Sequence, residues 1–191
     1  KREYQQEVVP KIKALADRFD IEQYGALSYD EARFPLFAIK SKNWDASEPT
    51  ILVTGGVHGY ETSGVHGAIK FAATQAEQYS AHFNIVVAPC VSPWGYEVIN
   101  RWNPNTVDPN RSFYDGTPAE ESANLRALVA SLPEVLVPKL NKGERLEFEC
   151  HWNNDYVMSS LPKGLVHASG NLFTLPITGK AQSLKILMTL K

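Results

Sequence analysis

The sequence predicts an α/β domain with a mixed, mostly parallel sheet flanked by helices, and three observations carry that expectation. Two short apolar runs, ILVTGG at residues 51–56 and FNIVVAPC at residues 83–90, read as buried strands. Between them VHGAIKFAATQAEQY is rich in alanine and spaced as a helix. Further on, PAEESANLRALVASL repeats Leu125, Leu128 and Leu132 at helical intervals. Strands that alternate with helices build a largely parallel or mixed sheet, because each crossover returns the chain to the same end.

The remaining elements follow in chain order. EYQQEVVPKIKALADRFD places Ile12, Leu15 and Phe19 near helical spacing and is expected to be a helix. FPLFAIKS is a short strand candidate, and KNWDASEPT is the loop that leads to ILVTGG. From Val91 to Gly116 the chain is rich in Pro, Asn and Asp and is expected to be mostly loop. LEFEC, ending at Cys150, is a third strand candidate. There is no internal repeat and no low-complexity segment.

The bulk numbers bound the function classes. A length of 191 residues suits one domain, 1–191, and 43% hydrophobic with 21% charged residues is ordinary globular composition. The net charge of −2 gives no basic footprint for nucleic acid, and no apolar stretch approaches a membrane span. The polar start KREYQQEVVP has no leader-like pattern, but Lys1 is the first residue, so the compartment stays open with the cytoplasm slightly favoured. Cys90 and Cys150 follow apolar runs and read as small buried hydrophobes more readily than as a disulfide.

In parallel sheets ligands sit beyond the carboxyl ends of the strands. Three chemically rich segments fall there: GGVHGYE after ILVT, the Pro/Asn loop after NIVVAPC, and His151 after LEFEC. His58 and Glu61 stand three apart in a glycine-rich strand-to-helix loop, and both can face one ion if the helix begins near Glu61. Zinc accepts such mixed nitrogen and oxygen ligation and needs three protein ligands for catalysis. His66 lies roughly 140° around the helix from Glu61 and should face away. His82 precedes a strand at the opposite sheet end. His151 is the best third candidate, with His167 in KGLVHASG left as the alternative. INRWNPNTVDPNRSF adds Arg101 and Arg111, whose planar forks suit a bidentate grip on a carboxylate. The same segment is also what a solvated, turn-rich loop would contain.

Taken together, HGYE (58–61), PWGYE (93–97), Arg101, DPNR (108–111) and ECH (149–151) resemble the zinc carboxypeptidase family in order and spacing. The resemblance implies that His58, Glu61 and His151 hold one zinc ion and that Arg101 steadies the oxyanion of a scissile carbonyl. It further implies that Asn110 and Arg111 bind the substrate's terminal carboxylate. The family reads Asp-x-His at the third ligand where this chain has Glu149-Cys150-His151, and Glu149 can serve as a partner of the ligand. It also places a glutamate base well downstream, whereas Asp155 is the last acidic residue before Lys191. The expectation is a C-terminal part that is missing or divergent, with a base beyond this sequence or at Asp155. The implied function is zinc-dependent hydrolysis of a C-terminal peptide bond, on a peptide substrate and without nucleic acid or membrane partners. Two alternatives stay open: an N-acyl amino acid deacylase of the related succinylglutamate desuccinylase and aspartoacylase group, and an inactive zinc- and carboxylate-binding domain.

Overall fold

A computed structural model describes residues 2–48 and 50–132, together with the backbone of four later strands. The chain opens with two short helices, α1 (Tyr4–Glu7) and α2 (Val9–Lys13), and then runs into β1 (Phe19–Ala26) and β2 (Pro35–Ser41). The core follows as β3 (Thr50–Gly55), α3 (Thr62–Thr74), α4 (Ala76–Tyr79) and β4 (Asn84–Ala88). After α5 (Pro93–Val98), a 3₁₀ turn (Pro109–Arg111) and α6 (Glu120–Ser131) come strands β5 (Arg145–Glu149), β6 (Val157–Met158), β7 (Leu172–Pro176) and β8 (Lys185–Leu190).

The sheet is mixed, in the order β1-β2-β4-β3-β8-β6. Its centre is parallel: β3 pairs with β4 in the register Ile51↔Ile85 and Val53↔Val87, and with β8 on its other side. The pairs β1/β2, β2/β4 and β6/β8 are antiparallel, so antiparallel pairs outnumber parallel ones among the described strands. For β1 and β2 the reason is local, because the short connection between them has no room for the crossover that parallel neighbours need. The expected third strand, β5, pairs with β7 in a separate two-stranded sheet.

Side chains on a strand alternate between faces, and this divides the core into two. Ile39, Ile51, Val53, Ile85 and Val87 pack with Tyr4, Val8, Ile12, Val65 and Ile69 from α1, α2, α3 and the chain between them. Ala38, Leu52, Val86 and Ala88 face the other way and pack with Leu125, Leu128 and Leu132 at α6. The result is helix, sheet and helix in three layers.

The expected N-terminal helix differs. The helix read across residues 3–20 is two short helices that break at Val8, and Phe19 belongs to β1. Pro10 has no N–H and is tolerated only in a first helical turn, so α2 must start afresh just before it. Among the described residues no helix is long and apolar enough to cross a membrane. Cys90 is buried as a free thiol, with burial pushing its pKa up, while Cys150 lies outside the described residues.

Candidate metal centre

The loop after β3 is shaped by two glycines. Gly56 has φ +58°, a left-handed conformation that side chains with a Cβ rarely adopt. A Cβ on Gly59 would overlap the backbone of Gly95 and Tyr96, so α5 seats against the loop only because Gly59 is bare. Val91 and Ser92 donate their N–H groups to the carbonyls of Gly55 and Gly56 at 3.0 and 2.9 Å. Ser92 Oγ adds a 2.7 Å bond to the Val57 carbonyl. The loops after β3 and β4 are therefore fastened edge to edge at the carboxyl ends of two parallel strands.

This fastening buries His58 to 1% exposure and sets Glu61 as the residue that caps α3, where the sequence expected the helix to begin. His58 Nδ1 lies 3.1 Å from Glu61 Oε1, and His58 Nε2 lies 2.8 Å from Asp108 Oδ1. The ring of Tyr60 stacks beside the imidazole at 6.0 Å. A neutral imidazole carries one ring proton. If Nε2 donates it to Asp108, the lone pairs of Nδ1 and of Glu61 Oε1 converge on one point. A cation there satisfies both groups. The donor set therefore fits a borderline cation such as zinc.

Asp108 is the hub of the second loop. Its side chain caps the 3₁₀ turn by accepting the Asn110 N–H at 3.0 Å, and its other oxygen accepts from Arg101 Nε at 3.1 Å. Burial favours the neutral acid, but His58, Arg101 and the Asn110 N–H outweigh it and hold the carboxyl below its usual range. Desolvation likewise works against the Arg101 cation, while hydrogen bonds and charge from Asp108, with Tyr60 adding to them, raise its pKa further.

Of the residues singled out in the sequence, His58 and Glu61 come together, and Arg101 joins His58 through Asp108. Asn110 and Arg111 sit on the 3₁₀ turn beside it, with Arg111 exposed to solvent. His66 faces elsewhere, with Nε2 at 3.3 Å from Tyr96 Oη. His151, with Asp155 and His167, lies outside the described residues, and of Glu149 only the backbone is described. Among the described residues no group of three or more His, Cys, Asp or Glu is arranged to hold a metal, so His58 and Glu61 stand as a pair. Sequence reading gave Asp108 no role of its own. The available signal was an Asp directly before Pro109, a residue type that caps a turn start.

The sequence profile of the family described as zinc carboxypeptidase matches residues 24–128. A protein from Shewanella denitrificans OS217 classed as a metallopeptidase shares the fold with TM-score 0.56 and 21% identity, over 78% of this chain and 54% of that one. Its counterpart from Shewanella amazonensis SB2B has TM-score 0.56 and 19% identity, over 83% and 61%. A metallo-carboxypeptidase from Burkholderia cenocepacia matches with TM-score 0.53 and 14% identity, over 64% and 37%. The chain thus spans about half the length of the first of these structures, at 54%. No curated protein matches the sequence.

Proposed function

Because this chain belongs to the zinc carboxypeptidase family, we propose that it hydrolyses the C-terminal amide bond of a peptide, with one zinc ion held by His58, Glu61 and His151. The observation that supports the metal assignment is the convergence of His58 Nδ1 and Glu61 Oε1 at 3.1 Å while Asp108 occupies the far ring nitrogen. Zinc, when bound, supplies Lewis acidity toward a carbonyl and lowers the pKa of a water to about 7.

The chain's own residues do the rest. Asp108 fixes the tautomer and the ring plane of His58, which keeps Nδ1 available as a ligand. Arg101, kept cationic by Asp108, supplies positive charge for the oxyanion that forms as the carbonyl is attacked. Asn110 and the exposed Arg111 bind the free carboxylate at the substrate's end, which is what separates an end-trimming peptidase from one that cuts internally. No described residue is assigned as proton acceptor for the attacking water. Asp155, which the sequence offers for that role, lies outside them.

The test is a substrate panel run with metal analysis: a blocked peptide with a free C-terminus, its C-terminal amide, and N-acyl amino acids. The expected result is release of the C-terminal amino acid, lost with a chelator and recovered with zinc. Cleavage of N-acyl amino acids alone would make the protein a deacylase. Zinc binding with no turnover of any substrate would make it a binding domain.

A further inference from the structure

The first turn of α6 holds a carboxylate for which the proposed reaction has no use. Glu121 is 0% exposed, and among the described residues two neutral groups reach it: Tyr29 Oη donates to Oε1 at 2.5 Å and Asn103 Nδ2 donates to Oε2 at 3.2 Å. A carboxylate removed from water is costly unless strong partners compensate it, so what it holds in place matters.

Asn103, itself 4% exposed, closes the turn between Arg101 and Asp108. Its Oδ1 accepts the N–H groups of Asn105 and Val107 at 3.0 Å each, and its own N–H donates to the Val107 carbonyl at 3.0 Å. One side chain thus shapes the turn, and Glu121 fixes that side chain. The next residue of α6, Ser122, is also 0% exposed and donates to the Pro109 carbonyl at 2.6 Å. Adjacent residues of one helical turn grip the loop before and after Asp108.

We propose that Glu121 and Ser122 are positioning residues that set Asp108 and Arg101 against His58. The assignment rests on the reading of His58 and Asp108 as part of a metal centre. Because Tyr29 lies in the β1–β2 connection, the same carboxylate also ties that hairpin to the site.

The test uses the whole protein with ¹⁵N-labelled histidine. The Nε2 proton that His58 donates to Asp108 gives a downfield resonance that needs neither zinc nor turnover to be seen. In Glu121→Leu this resonance should shift or broaden, zinc affinity should fall about tenfold, and kcat should drop with KM nearly unchanged. Glu121→Gln should keep the resonance and most of the affinity, since its oxygen can accept from Asn103 while its amide donates to Tyr29. Asn84→Ala is the stability control. It removes a buried side chain bonded to Asp45 and Glu48 at the start of β4, and should lower the unfolding midpoint without moving the resonance. If Glu121→Leu loses stability as Asn84→Ala does and leaves the His58 resonance in place, the proposal is overturned. Should Glu121→Leu not fold, Tyr29→Phe and Ser122→Ala carry the test, and an unmoved resonance in both overturns it equally. A wild-type protein inactive on every substrate rejects the peptidase reading while leaving the resonance comparison intact.

Discussion

His58 Nε2 and Asp108 Oδ1 lie 2.8 Å apart although the chain between them spans two helices, a strand and a third helix. The contact fixes which face of the imidazole is left for a ligand, and it is where the loops after β3 and β4 become one site.

The first prediction tests that contact. Asp108→Ala should weaken zinc binding by about 10–100-fold, because a metal-bound imidazole loses basicity and orientation with its acceptor. Competition against a chromophoric chelator measures it, and an affinity within a factor of about two of wild type would show that the contact does not serve the metal.

Arg111 is exposed on the 3₁₀ turn and is assigned to the substrate's terminal carboxylate. Arg111→Ala should cost about 2 kcal/mol or more in kcat/KM on a free-acid peptide and far less on the matching amide. Equal losses on both substrates would remove the carboxylate grip from the mechanism.

Gly59→Ala should destabilise by about 1–3 kcal/mol, since its Cβ meets the α5 backbone and not a side chain that can swing aside. Gly116→Ala is a useful comparison, because at φ +73° it meets open space and carries only conformational strain of about 1 kcal/mol. Urea midpoints for the two variants should fall in that order, and a neutral Gly59→Ala would mean that the loop stands clear of α5.

His66 gives a pH dependence. Burial first, then the charges of Lys11 and Arg2, lower its pKa from 6.5, with Glu7 opposing. The unfolded chain therefore binds the proton more readily than the folded one, and stability rises with pH across that window. The contribution is complete above 6.5 and is lost as pH falls from there through the folded value. Midpoints of wild type should decline as the solution is acidified below pH 6.5, and His66→Gln should decline less. Parallel curves would exclude His66 as a source of the slope.

How much of this was legible follows from which residues carry local signals. Ile51, Val53, Ile85 and Val87 are apolar because both faces of the central strands are covered, and such runs announce themselves. β1 does not, because Asp20, Glu22 and Gln23 face water on an edge strand and its apolar residues imitate a helical face continued from α2. His58, Glu61 and Arg101 were legible as candidates because their chemistry is unusual for where they sit in the sequence. The partnership of His58 with Asp108 was not, because it forms only once β3 and β4 are parallel neighbours. Glu121 was hidden for another reason: an acidic residue in the first turn of an amphipathic helix reads as a solvent-facing one.

The bonds from Val91 to Gly55, from Ser92 to Gly56 and from Ser92 Oγ to Val57 bear on protein engineering. They make the two loops share one set of backbone bonds, so neither is a self-contained cassette. Transplanting the histidine loop from a relative would bring carbonyls shaped for a different second loop, and the reverse swap would leave the acceptors without their donors. Chimeras that exchange both segments together keep the pairing intact. Libraries meant to retune specificity should accordingly vary the exposed tip between Asn103 and Val107 and leave the fastened bases as they are.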